Sequence, residues 1–107
     1  MVTVEFFRND DNKIFGFSFS DHTESIVCAG VSALALNCVN SIEAFTDMDF
    51  TCDVNEEQGG YLVFKIPDVE QGEFNHDVDL IFNCFHLGIL GIQAENSANI
   101  KIIDKVK

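Results

Sequence analysis

Five short stretches of the chain are mostly apolar, and several of them alternate apolar with polar residues, which is typical of β-strands with one buried face. These stretches lie at residues 2–6, 15–20, 48–54, 61–66 and 100–106. The first two are separated by the turn-forming residues 9–12 (Asn-Asp-Asp-Asn), so they are expected to form an antiparallel hairpin. Pro67 ends the fourth predicted strand.

Two longer stretches carry apolar residues at steps of three and four, which predicts helices that each bury one face. The first predicted helix covers residues 28–45, with Ser25 as a candidate N-cap. Its predicted apolar stripe is Cys28, Val31, Leu34, Cys38, Ile42 and Phe45. The second predicted helix covers residues 73–96 and follows an acidic connector at 68–72. Its predicted stripe is Phe74, Val78, Ile81, Phe85, Gly88 and Ile92.

The predicted order of elements is ββαββαβ. A few strands with two helices favour an α+β fold, a two-layer sandwich with a mostly antiparallel sheet and both helices on one face. The last strand would be the one free to run parallel to a neighbour. We interpret residues 1–107 as a single domain, because 107 residues with 47% hydrophobic content suit one core. Gly88 and Gly91 are expected to allow close backbone approach, either within the chain or between two copies.

The charge balance is strongly acidic, with six basic and eighteen acidic residues and a net charge of −12. This balance argues against direct nucleic-acid binding, which needs clustered lysine and arginine, and against an anionic membrane surface. It fits a basic protein partner, although acidity also simply keeps a protein soluble. We expect no export signal and no apolar run of membrane-spanning length. The four cysteines form no CxxC pair, so they are expected to be reduced thiols in the cytoplasm.

Cys28 and His22 are the candidate catalytic residues. A cysteine at the start of a helix is stabilised as a thiolate by the helix dipole, and a nearby imidazole can take its proton. The N–H groups of Ala29 and Gly30 would then hold a developing oxyanion. The alternative is that Cys28 is a small hydrophobic residue and His22 a solvated loop residue. Their separation of six residues permits a contact without forcing one.

Three further residues surround this pair in the sequence. Ser32 lies one helical turn after Cys28 and could bond the thiolate, the substrate or its own helix backbone. Asp21 and Glu24 flank His22, and either could orient its ring as the third member of a triad does.

A metal site is not expected, because a structural zinc site needs four ligands with paired spacings. Cys84 and His86 are two apart on a predicted helix and would point to different sides, and His76 is eight residues away from Cys84. We therefore predict neither metal nor cofactor, and interpret Cys38, Cys52 and Cys84 as core residues.

His22 and the run Ile-Val-Cys-Ala-Gly-Val-Ser-Ala-Leu at 26–34 resemble the ribosomal-processing cysteine proteases of the Prp family. Residues 92–95 (Ile-Gln-Ala-Glu) and 100–102 (Ile-Lys-Ile) extend the resemblance over essentially the whole chain. The resemblance implies a small cytoplasmic homodimeric endopeptidase that removes an N-terminal extension from large-subunit ribosomal protein twenty-seven. It also implies Cys28 as nucleophile and His22 as general base, with Ser32 close to the active site.

The chain departs from the family between the two catalytic positions. The family carries an aspartate three residues before the cysteine, where this chain has Ser25, so Asp21 or Glu24 would have to orient His22. The family's loop between histidine and cysteine is also longer than the five residues found here. A second hypothesis follows from these departures, namely a catalytically silent binding module in ribosome assembly on the same fold.

Overall fold

The computed structural model describes residues 1–21, 26–55 and 61–106, with Asp21 described by its backbone alone. Its elements are β1 (Val2–Arg8), β2 (Ile14–Asp21), α1 (Ile26–Phe45), β3 (Thr51–Asn55), β4 (Tyr61–Lys65), α2 (Pro67–Glu70), α3 (His76–Glu95) and β5 (Ile100–Val106). The five strands and two long helices match the predicted order. The exception is the acidic connector, which begins with the short helix α2, because Pro67 suits the first position of a helix.

The strands form one sheet in the order β3-β4-β2-β1-β5. The pairs β1–β2, β2–β4 and β3–β4 are antiparallel, and β5 runs parallel to β1. The long helices α1 and α3 lie against the same face of this sheet. The predicted α+β two-layer architecture is therefore confirmed, including the parallel last strand.

A row of phenylalanines crosses the middle of the sheet and anchors the helices. Phe6 is opposite Phe17, and Phe17 is opposite Phe64, so the three rings share one face and all are fully buried. Phe85 of α3 packs its ring 4.5 Å from that of Phe17, and Phe82 packs 6.1 Å from Phe64. Each such ring removes a large apolar area from water, so this row carries much of the core's stability.

The helices bury stripes that differ in part from the predicted ones. The buried residues are Val27, Val31, Ala35, Cys38, Val39 and Ile42 in α1, and Val78, Phe82, Phe85 and Ile89 in α3. Phe45, predicted as core, is 74% exposed, and Phe74, at 58% exposed, precedes a helix that Asn75 caps through its side chain. Because an α-helix has 3.6 residues per turn, two neighbouring stripes of residues can both satisfy spacings of three and four. Packing against the sheet decides which of the two stripes is buried.

The cysteine assignments are confirmed for Cys38, which is buried, and wrong for Cys52 and Cys84, which are exposed. Cys52 lies on the edge strand β3, whose five residues are all exposed. Cys84 lies on the outer side of α3, one position away from the buried Phe85. Alternation and helical spacing identify a face of an element but not whether another element covers it.

Close packing of α1 on α3 explains one of the two glycines in α3. A β-carbon on Gly88 would lie 3.0 Å from Leu34 Cδ1, whereas one on Gly91 would have no atom of the described residues within 4 Å. α1 is also long and apolar enough to cross a membrane by length and composition alone, contrary to the sequence-based expectation. Six residues of this helix are buried in the core of the fold.

Candidate active site

The candidate nucleophile Cys28 is the third residue of α1 and is half-buried. α1 begins at Ile26, two residues earlier than predicted, and β2 ends at Asp21, whose backbone pairs with Val2. Residues 22–25 lie outside the described part of the chain, and they include His22, Glu24 and Ser25. The histidine base, its orienting acid and the N-cap therefore remain predictions from sequence.

Ser32 lies beside the thiol. Cys28 Sγ and Ser32 Oγ are 3.9 Å apart, within the range of a sulfur hydrogen bond in which either atom can donate. The spacing of four residues puts both side chains on the same helix face. The hydroxyl can thus donate to a thiolate at Cys28, which would lower the cost of forming that anion.

The start of α1 bears on which amides can bind an oxyanion. The N–H groups in the first turn of an α-helix point out of its N-terminal end, whereas later ones donate to carbonyls of the same helix. In α1 the first turn comprises residues 26–28, and Gly30, as the fifth helical residue, has Ile26 as its intrahelical acceptor. Ala29 is the fourth residue of α1, at the limit of the four N–H groups that a helix leaves free at its start, so the oxyanion contacts of Ala29 and Gly30 remain predictions from sequence, and the amides at and just before Cys28 are further candidates.

An apolar groove adjoins this site, and the sequence pattern does not predict it. It has a volume of about 150 Å³ and is lined by Phe19, Ser32, Ala35, Leu36, Val54, Tyr61 and Leu62. We call it the β3 groove, because Val54 of the edge strand β3 forms its outer wall. Ser32 belongs both to the groove and to the pair with Cys28. The available signal in the sequence is Leu36, a large apolar residue off the predicted stripe of α1 and 54% exposed.

The described basic residues are unevenly distributed. Strand register places Arg8, Lys65 and Lys105 at the end of the sheet opposite the start of α1, and Lys13 lies on the β1–β2 turn at that same end. Lys101 is at the end where α1 begins, because it pairs with Thr3. The end that carries Cys28 is therefore poor in positive charge, which favours a basic ligand there.

Burial raises the pKa of two of the other thiols, those of Cys38 and Cys52. Desolvation raises the pKa of Cys38 to about 12, so this thiol is protonated and inert at neutral pH. The pKa of Cys52 is also raised, by partial burial and by the neighbouring Asp53 carboxylate. Neither is suited to be a nucleophile.

His86 is half-buried and contacts a core ring. Among the described residues, no group of three or more histidine, cysteine, aspartate or glutamate side chains is placed to hold a metal ion. The His86 ring instead lies edge-on to Phe6, with centroids 4.7 Å apart. Its pKa is lowered by desolvation and by the Arg8 charge, with Asp104 opposing them.

His86 is expected to make stability pH-dependent. Because its folded pKa lies below the usual value near 6.5, the unfolded chain binds a proton more readily on acidification, and folding loses free energy as the pH falls through about 6.5. Replacing His86 with Gln should flatten this part of the curve in urea unfolding between pH 7.5 and 5.5. The matched control is His76→Gln, at a side chain that is 79% exposed. Equal slopes in both variants would contradict the assignment.

The site thus consists of a half-buried thiol in the first turn of a helix, a hydroxyl beside it, and an apolar groove next to both. Comparison with known proteins identifies the class as cysteine protease: residues 1–101 match the sequence model of the family "Cysteine protease Prp". The chain belongs to this family.

Relatives from two species carry the name ribosomal processing cysteine protease Prp. The one from Bacillus subtilis is 23% identical over 112 residues, covering 99% of both chains. The one from Staphylococcus aureus is 29% identical over 109 residues, covering 95% of this chain and 97% of the relative.

Solved structures agree with the fold. The Staphylococcus aureus ribosomal processing protease Prp, in complex with a covalently linked product peptide, superposes with a TM-score of 0.83 at 26% identity, covering 98% of this chain and 100% of the other. A Streptococcus mutans protein superposes with a TM-score of 0.85 at 24% identity, covering 100% of this chain and 96% of the other, and supports the fold alone.

Proposed function

We propose that this protein is a cysteine endopeptidase that removes the N-terminal extension of large-subunit ribosomal protein twenty-seven. The observation that carries the proposal is Cys28, held in the first turn of α1 beside Ser32, which also lines the β3 groove. The names of the relatives support ribosomal processing, and the Staphylococcus aureus structure contains a covalently linked product peptide.

The reaction would proceed through a thioester. His22 takes the proton from the Cys28 thiol, and the thiolate attacks the scissile carbonyl carbon. Backbone amides at the start of α1 bind the oxyanion, and the carbonyl re-forms as the carbon–nitrogen bond breaks and His22 gives its proton to the leaving amine. A water molecule, activated by the neutral His22, then hydrolyses the thioester and restores the thiol.

The orienting partner of His22 would be Asp21 or Glu24. The family's aspartate is replaced by Ser25, and these two carboxylates are the acidic residues that flank the histidine in sequence. An acid that accepts a hydrogen bond from one ring nitrogen leaves the other nitrogen facing the thiol.

The charge pattern supports a basic protein substrate met in the cytoplasm. The net charge of −12 attracts a basic ribosomal protein and repels nucleic acid and anionic membrane surfaces. A thiol nucleophile must also remain reduced, a state that the cytoplasm maintains.

We place the homodimer contact on the outer surface of α1 and α3. A groove of about 380 Å³ lies there, lined by Leu34, Asn37, Cys38, Ser41, Phe45, Leu80, Ile81, Cys84 and Phe85. Glu43 is the sole charged residue in the sequence of α1, and residues 80–94 of α3 contain no Asp, Glu, Lys or Arg. In a chain this acidic, an uncharged apolar surface is where two copies meet with the least repulsion.

The dimer is tested by replacing Leu87, which is 71% exposed on α3, with Lys. We expect a shift from dimer to monomer in sedimentation equilibrium, because a charge on the contact surface must be desolvated in the dimer. Val106→Lys, at a position 68% exposed on β5, is the matched control. An unchanged mass for Leu87→Lys, or a monomeric wild type, would refute this contact.

The enzymatic proposal is tested by incubating the purified protein with the extended ribosomal protein and measuring intact masses. A single N-terminal cut is expected for the wild type and none for His22→Ala. Binding without cleavage would instead favour the silent assembly module. Neither binding nor cleavage would refute both functions.

A further inference from the structure

The strand β3 is an open edge next to the candidate active site. It ends the sheet order and, in the described part of the chain, pairs with β4 alone. Residues 51–55 are all exposed, and they contain no proline, lysine or arginine. Proline and lysine on an edge strand commonly block it against a further strand, and residues 51–54 carry neither, with Asp53 as their one charged side chain. Within the described part of the chain, the outer side of residues 51–54 therefore suits an added strand.

The β3 groove runs from the site to this edge. Phe19, Leu62 and Val54 are register partners on β2, β4 and β3, so they form a row on the helix-covered face of the sheet. The row is buried at Phe19 and Leu62 and 61% exposed at Val54, because α1 covers the sheet only as far as β4. The groove therefore opens sideways at β3, while its other wall is Ser32, in contact with Cys28.

Exposed apolar residues gather at the same corner. Leu36 is 54% exposed, Val54 61% and Tyr61 44%, and all three line the groove. A cavity of about 150 Å³ holds a molecule the size of benzene, hence one leucine- or phenylalanine-sized side chain. This corner also lies at the end of the sheet that is poor in positive charge, which suits a basic chain.

We propose that the polypeptide substrate binds as an added strand along the outer edge of β3 and places one large apolar side chain in the β3 groove. The occupant is the substrate because the groove shares Ser32 with the catalytic thiol, so a chain held there is continuous with the scissile site. Strand addition supplies main-chain hydrogen bonds for affinity, and the groove selects among side chains on one face of the added strand. This inference rests on the proposed function.

The test compares Val54→Asp with Val106→Asp, the same substitution on the two edge strands at positions of similar exposure. The probe is a synthetic peptide spanning the extension and the first mature residues of the ribosomal protein proposed above. We expect Val54→Asp to raise KM about tenfold with kcat little changed, because the substitution replaces apolar surface that the peptide covers. Val106→Asp should leave both constants at the wild-type values. Circular dichroism checks that both variants fold.

Binding is measured separately in the Cys28→Ala background, where cleavage does not interfere. There, Val54→Asp should weaken peptide binding about tenfold and Val106→Asp should not. Single backbone N-methylations along the peptide should impair binding at alternate positions, since an added strand directs every second N–H toward β3. Equal affinities for the two variants, or no alternation, would overturn strand addition while cleavage by the wild type still upholds the proposed function. A wild type that neither binds nor cuts the peptide would overturn both.

Discussion

Replacing Cys28 with Ser is expected to lower the rate of cleavage of the extended ribosomal protein by about a thousandfold or more. A hydroxyl has a much higher pKa than a thiol, so the first turn of α1 and the Ser32 hydroxyl cannot hold it as an anion at neutral pH. The change is nearly isosteric at a half-buried position, so folding should be unaffected. The measurement is a single-turnover time course followed by intact mass.

The matched control for this variant is Cys84→Ser, which removes an exposed thiol from α3 and should cleave at the wild-type rate. Alkylation with iodoacetamide, mapped by peptide mass, gives an independent measure of the thiol. Cys28 should react fastest, and Cys38 slowest because burial raises its pKa to about 12. Undiminished cleavage by Cys28→Ser would assign the nucleophile elsewhere, and a Cys28 no more reactive than Cys84 would favour the silent module.

The strands and helices follow from local pattern because alternation and helical spacing are properties of the backbone itself. The depth of burial of a residue does not follow from local pattern, because it depends on which other element packs over that residue. Cys52 lies on the face of β3 that the alternation predicts to be buried. It is nevertheless exposed, because α1 does not extend over that strand. Phe82 and Ile89 fall outside the predicted stripe for a related reason: α3 rotates to set Phe82 and Phe85 onto the phenylalanine row.

The candidate site also contains features that the sequence predicts and features that it does not. The pairing of Cys28 with Ser32 is accessible from sequence because four residues along a helix fix their relative direction. The oxyanion amides of Ala29 and Gly30 stay a prediction, because the residues just before α1 lie outside the described part of the chain. The β3 groove cannot be predicted from the sequence pattern, because its walls come from α1, β2, β3 and β4 and no short stretch of sequence contains them together.

Replacing Gly16 with Ala is expected to destabilise the protein by about 3 kcal/mol, as for an overpacked core position. Gly16 lies on β2 directly opposite Lys65 of β4. A β-carbon there would overlap the carbonyl oxygen of Phe64 and lie 3.0 Å from Lys65 Cα. Both are backbone atoms, so relief requires β2 and β4 to separate at the point where Phe64 must meet Phe17. Urea unfolding measures the loss.

Gly91→Ala is the opposite case and the control. A β-carbon at this position on α3 would have no atom of the described residues within 4 Å, so alanine should stabilise the helix by about 0.5–1 kcal/mol through the lower backbone entropy of the unfolded chain. The two glycine-to-alanine changes therefore have opposite signs for a stated reason. A neutral or stabilising Gly16→Ala would show that β2 and β4 are less closely paired at Gly16 than the register requires, and a destabilising Gly91→Ala would show that position 91 is not open.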